Sequence, residues 1–469
     1  MSASSSEPKF KPLLTAEKVM EPSVAWAPYE RDADRPWDLR LAGHLYRRAG
    51  FGGNWDQLQA ALADGPRATV DKLLAGGANV VVFNTEHDKY EKRAAQSGGG
   101  VGPQAWWLRR MCETPRPLLE QMTVFWHNYF GISNTHLNNP SMVCRHIQEL
   151  RQQALGKFDG LLEGVLSQPA VFLAVGAPGS RKARPNENLA RVLLERFTVG
   201  PGGFTEVDLQ ATAQVLSGWF VSQNELQYAQ REHSSGQQKV LGETGDFDKS
   251  ELAKVLSRQR ATAYCIVTAL YRWFISETNS PDEALLAPIA TRFATDLDIS
   301  KLVETMLRSN LFFSTKAYRQ KIKSPVEFAL GIIRSLGGMV GTTQLAADLA
   351  ELGQDLYNPP TIKGWSGSRY WIDQFTMLGR MKLAKSIFET SGAYGGKLDP
   401  LSTAARHGCQ TLETRNRFLF DLLLQGDLLE KGPEEIALRG EQTLTQAEAG
   451  RQFRSLAAQI TSLPEFNLA

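Results

Sequence analysis

The chain has 469 residues, 42% hydrophobic and 22% charged, which supports a packed core along most of its length and excludes wholesale disorder. With 52 Lys and Arg against 50 Asp and Glu, the formal charge is +2, lacking the basic excess of a protein that lives by phosphate contacts, so no nucleic-acid partner is expected. Cys112, Cys144, Cys265 and Cys409 are too scattered for a zinc site or disulfide framework, and no stretch approaches the roughly 18 apolar residues of a membrane span.

Residues 1–36 read as an extended Ser- and Pro-containing arm without an apolar signal region, which predicts a soluble, cytoplasmic protein. Residues 37–467 read as a single domain. It divides into two helical subdomains, about 37–222 and 251–467, around a polar insert at 223–250 that can hold a hairpin. Leu41, Leu45 and Ala49 recur at helical spacing until Gly50-Phe51-Gly52 stops the helix. Further helices are expected around Leu58 to Leu62 and Val70 to Leu74, and Val80-Val81-Val82-Phe83 is the clearest strand signal. The Gly-rich stretch 95–103 follows the charged Glu91-Lys92-Arg93 rather than a strand, so it is no dinucleotide fingerprint. Helical periodicity returns over 104–168, 252–313 and 326–336. The predicted fold class is all-α or nearly so: a large multi-helix array with long loops and at most a short hairpin.

Several stretches carry candidate chemistry. Within Thr123-Val124-Phe125-Trp126-His127-Asn128-Tyr129-Phe130, an imidazole and a carboxamide sit among four aromatics. His127 and Asn128 are there either as reacting groups or as hydrogen-bonded core residues. Along Pro185 to Gly200, Asn186 or Asn188 can cap a helix whose buried stripe is Leu189, Val192, Leu193 and Phe197. Glu187, Arg191 and Glu195 recur at i, i+4 and i+8, either as two carboxylates held by one guanidinium or as a surface salt ladder. Thr205 and Asp208 have capping-box spacing, which leaves Glu206 without a structural role at the same helix start. Ser324, Pro325 and Glu327 make a second such box and leave Lys323 outside it. Lys363, Trp365 and Trp371 lie in a loop stiffened by Pro and Gly, where the tryptophans either stack on sugar rings or pin the loop to the core. No HExxH, GxSxG, P-loop or CxxC occurs, so neither metal nor cofactor is predicted.

Taken together and in this order, the segments from His44-Leu45-Tyr46-Arg47-Arg48-Ala49-Gly50-Phe51-Gly52 to Leu463-Pro464-Glu465-Phe466 resemble the domain-of-unknown-function 1800 family. The resemblance implies a bacterial helical protein of a commonly exported kind. It also implies a sulfatase-like partner encoded nearby, and it brings no established reaction. The chain departs from the family pattern where Tyr129 replaces a histidine, Val192 a glutamate, Gln214 an arginine, and Ser234 and Ala174 aspartates.

Two functions are expected from these residues. One is a hydrolase-like enzyme acting on a glycan or other polar polymer. In it Glu187 or Glu206 is the general acid/base, Arg191 holds a carboxylate beside Glu195, and His127 with Asn128 transfers protons or positions groups. Trp126, Trp219, Trp365 and Trp371 form its platform, with Asn186, Asn188, His233, Lys323 and Lys363 as further substrate contacts. The alternative is a non-catalytic scaffold or partner-binding protein that has lost part of the family's polar site. An enzyme should gather His127, Glu187, Arg191 and Glu206 around one pocket, and a scaffold should leave them dispersed.

Overall fold

The computed structural model describes residues 13–15, 17–19, 21–96, 101–278, 280–426 and 445–469. Residues 97–100 of the Gly-rich stretch and the start of the N-terminal arm lie outside the described residues. The described part of the arm is docked rather than free. Its short Pro22–Ala25 helix leads to Trp26, whose indole donates to Leu285 O at 2.6 Å, and the Tyr29 amide donates to Arg308 O at 2.7 Å.

Three buried helices form the centre. The Leu39–Gly50 helix is capped by the Asp38 carboxylate, and every residue from Leu41 to Gly50 is buried. Its buried polar residues reach distant backbone: Arg48 donates to Ile275 O and Ala317 O, and His44 bonds Phe312 O. The Pro117–Phe130 and Pro325–Ser335 helices pack around it, the latter buried along its whole length. Burial on all sides means that the polar residues of these helices, among them Arg48, Glu120 and Glu327, must be paired inside the protein. Trp55–Ala75 covers both helices expected there, divided by a kink where Gly65 (φ 82) precedes Pro66.

Helices dominate, with two short antiparallel hairpins, Trp219–Ser222 with Glu225–Tyr228, which starts just before the insert, and Gln238–Val240 with Glu243–Gly245 inside it, one more than expected. The strand expected at Val80–Phe83 is instead the start of a helix, Val80–Gln96. Val81 and Val82 are exposed, whereas His87 and Glu91, one helical turn apart, are buried. Tertiary anchoring at helical spacing overrides the local β-propensity of three valines. A second difference lies in the Asn-capped segment. The α-helix runs only from Glu187 to Val192, and Leu193–Phe197 forms a π turn. The extra residue in that turn redirects the following side chains, a distortion that recurs near functional sites. Among the described residues, no helix is long and apolar enough to cross a membrane.

Candidate functional site

A cavity of about 290 Å³, near the lower end of ligand-site volumes, opens between the Pro117–Phe130 and Arg260–Phe274 helices and the loop carrying Lys363 to Trp371. Its polar centre is a carboxyl pair, Glu277 and Glu327, with Lys321 beside them; Trp273, Trp365 and Trp371 supply aromatic walls.

Local sequence fixes Glu327 in place. Ser324 and Glu327 form the capping box, the Ser324 amide donating to Glu327 Oε2 at 2.8 Å and Ser324 Oγ accepting from the Glu327 amide. Its other oxygen accepts from Lys321 Nζ at 2.7 Å and Gln121 Nε2 at 3.0 Å. Burial alone would raise the Glu327 pKa, but the Lys321 ammonium and these hydrogen bonds outweigh it and hold the carboxyl below its ordinary range. Lys321 is held in turn by the chain's last residues, since Ala469 N donates to Lys321 O at 2.8 Å. Its ammonium also lies 4.1 Å from the Trp273 ring centroid.

Glu277 has the opposite environment. Burial raises its pKa and the negative charge of Glu327 adds to the rise, while Lys321, Arg48 and the Ser368 amide pull only partly the other way. Its Oε2 is buried without a hydrogen-bond partner. Two carboxyl groups in one cavity are thus pushed apart, one toward the acid and one toward the anion, the arrangement that divides acid and base roles between like groups.

The tryptophan loop is seated by backbone geometry. Asn128 Oδ1 accepts the Trp365 amide at 2.7 Å. Behind the loop, His127 is fully buried and meets Trp365 edge to face at 5.5 Å. Burial, reinforced by His146, lowers its pKa to about 3, so its imidazole stays neutral. Gly364 has φ +75, and a Cβ there would overlap Asn128 O and Oδ1. Gly364→Ala is therefore expected to cost about 2 kcal/mol or more and to unseat Trp365. Urea unfolding and indole fluorescence measure the two effects, and an unchanged midpoint would contradict this seating.

The remaining expected site residues divide clearly. Asn128, Lys363, Trp365 and Trp371 line the cavity. His127 and Trp126 lie behind it in the core, the Trp126 indole donating to Ala154 O. Lys323 is buried elsewhere, its ammonium 3.7 Å from the Phe466 ring centroid. Asn186 is the helix cap, accepting from the Asn188 amide. Trp219 lies under Lys249, and His233 bonds Ser217 O. Glu187, Arg191, Glu195 and Glu206 are exposed and line none of this cavity. The expected Glu187–Arg191–Glu195 ladder does not form; Arg191 instead lies 3.9 Å from Glu206. The π turn alters the step from Arg191 to Glu195, whereas Glu187 and Arg191 lie on the regular α-helix before it. Glu187→Gln and Glu206→Gln are accordingly expected to shift stability by no more than about 0.5 kcal/mol. A loss above that in thermal unfolding would give these carboxylates a structural role that the geometry denies them.

Glu277, Lys321, Arg196, Arg272 and Trp273 do not stand out in the sequence, and Glu327 reads there only as a cap. A faint signal exists in Trp273 and Glu277, an aromatic and an acid four residues apart where a helix ends. Among the described residues, no group of three or more His, Cys, Asp or Glu side chains is arranged to hold a metal ion. A larger groove of about 840 Å³ between Gln374–Phe388 and Gln446–Ser462 has, among the described residues, Glu389 as its single lining carboxylate and no pair of carboxylates.

Fold and cavity together define a mostly helical protein with a carboxyl pair walled by tryptophans. The chain belongs to the family described as protein of unknown function (DUF1800), which it matches over residues 44–468. Comparisons with curated proteins and with solved structures find no match. Tyr129, the position where the family resemblance implies a histidine, lines the cavity itself.

Proposed function

We propose that the protein is a hydrolase-like enzyme acting on a glycan or other polar polymer, with Glu277 as proton donor. The observation that carries this reading is the pair Glu277 and Glu327, displaced in opposite pKa directions within one tryptophan-walled cavity. In this mechanism the Glu277 carboxylic acid protonates the bridging oxygen as its bond to the sugar carbon breaks. Glu327 stays ionised, keeps Glu277 protonated and offsets the positive charge that develops on the sugar ring. Water supplies the hydroxyl to that carbon and returns a proton to Glu277. Trp365 and Trp371 offer faces on which a sugar ring can stack. His127 and Asn128 act as positioning residues, because they touch the loop that carries Trp365. The test is hydrolysis of an oligosaccharide panel by the wild type and Glu277→Gln, with release of reducing ends as the readout. Release that is equal in both would overturn the assignment.

The alternative reading, a partner-binding scaffold, is favoured by one observation: Phe375, Leu378 and Met381 are exposed near one another on the Gln374–Phe388 helix. A sulfatase-like protein is the partner that reading would take. A stable complex on co-purification, abolished by Leu378→Asp, supports the scaffold; a partner-free protein that turns over glycan supports the enzyme.

A further inference from the structure

The reacting pair leaves three cavity cations unexplained. Arg196, Arg272 and Lys363 all line the cavity, and none lies within ion-pair distance of a carboxylate among the described residues. The other charges cannot balance them. Lys321 and Glu327 neutralise one another at 2.7 Å, and Glu277, even when ionised, sets one negative charge against these three positive ones. The cavity mouth is therefore positive on its own account.

Arg196 is the most firmly built of the three. It belongs to the Leu193–Phe197 π turn, donates from Nη2 to Lys363 O at 3.2 Å, and lies 5.5 Å from the Tyr129 ring centroid. Its Nε is buried with no partner. A buried guanidinium N–H without an acceptor is costly unless a ligand supplies one. A planar guanidinium fork matches an oxyanion in two parallel hydrogen bonds, and two further cations beside it favour a full negative charge over a hydroxyl. A neutral sugar would leave all three uncompensated.

We infer that the substrate is an anionic polymer unit, a carboxylate- or sulfate-bearing sugar, whose oxyanion is received by Arg196 with Arg272 and Lys363 around it. The inference rests on the glycan reading of this cavity but not on the catalytic role of Glu277. It also gives the π turn a purpose, because that turn delivers Arg196 to the cavity from a helix whose other charged residues, Glu187, Arg191 and Glu195, face solvent.

The test uses the full chain and three probes: an oligogalacturonate, its carboxyl-reduced neutral counterpart, and a sulfated oligosaccharide, each followed by tryptophan fluorescence and calorimetry. The anionic probes are expected to bind about tenfold or more tightly than the neutral one, with affinity falling as salt rises. Binding of one anionic probe alone identifies the carboxylate or the sulfate as the group read. Arg196→Lys is expected to lose most of the gain, because an ammonium cannot reproduce the fork. Lys363→Ala, on an exposed side chain, gives a second measurement should the Arg196 variant fold poorly; it is expected to lower anionic affinity severalfold. Equal affinity for neutral and anionic probes would overturn the inference, as would unchanged anionic affinity in both variants. Selective anionic binding without hydrolysis would leave it standing and remove the catalytic reading instead, whereas hydrolysis of the neutral probe with no anionic preference would do the reverse.

Discussion

Glu277→Gln is expected to lower kcat for hydrolysis of the bound oligosaccharide about 10²- to 10⁴-fold, the usual worth of a positioned proton donor, while changing binding little. The amide keeps the shape of the side chain and removes the transferable proton. The pH dependence carries the same claim. The proposed mechanism needs Glu277 protonated, and its folded pKa is raised, so the rate is expected to fall only as pH climbs above the ordinary carboxylate range. Activity also needs Glu327 ionised, and its pKa is lowered, so the acid limb lies below that range. The profile is a bell whose two limbs are spread apart. Removing the Glu327 charge by Glu327→Gln is expected to draw the alkaline limb toward lower pH, because one cause of the Glu277 rise is gone. A rate profile that Glu327→Gln leaves unmoved would separate the two groups and defeat the pairing.

Glu120→Gln is expected to be the most damaging single change to stability, about 3–5 kcal/mol, read as a fall in the denaturant midpoint. Glu120 is fully buried and accepts from Arg110 Nε at 2.7 Å, Arg151 Nε at 2.9 Å and the Trp107 indole at 2.9 Å. Burial would raise its pKa, but Arg151 and Arg110 overcome that and hold it at about 2. A glutamine there removes the carboxylate that both buried guanidinium groups share, leaving Arg110 only the more distant Asp88 at 4.0 Å. The consequence reaches the cavity, since Trp107 packs against His127 and Tyr357. The linkage sign follows from the depressed folded pKa. The stabilisation is present above the unfolded value near 4.5 and is lost as pH falls toward about 2. His127 and His146 add to this acid sensitivity. Both are held neutral with pKa values of about 3, so their contribution is complete above 6.5 and declines as pH falls below it.

Features encoded over a few neighbouring residues are legible in the sequence. Asn186, Thr205 and Ser324 cap helices as their spacing with later residues requires, or as their side chains allow. Gly65-Pro66 explains why one long helix reads as two. The aromatic loop is legible as a site wall because Pro, Gly and Trp cluster within a few positions. The carboxyl pair is not. Glu277 and Glu327 are fifty residues apart, and what distinguishes them is the company of Lys321, Gln121 and Ser368, drawn together by tertiary packing. Glu187, Arg191 and Glu195 mislead for the converse reason. Their regular spacing is conspicuous in the sequence, yet regular spacing of charges on one helical face is what a solvated face produces. The π turn at Leu193 has no counterpart in the pattern of apolar residues and cannot be anticipated from it.

Carbon-13 titration of the glutamate carboxyls in the full chain, with Glu277→Gln and Glu327→Gln used to assign the two signals, tests the pairing of these groups without any substrate. Glu277 is expected to titrate above, and Glu327 below, the ordinary glutamate value of 4.5. Two signals that titrate together near that value would contradict the opposed pair on which the proposed chemistry depends.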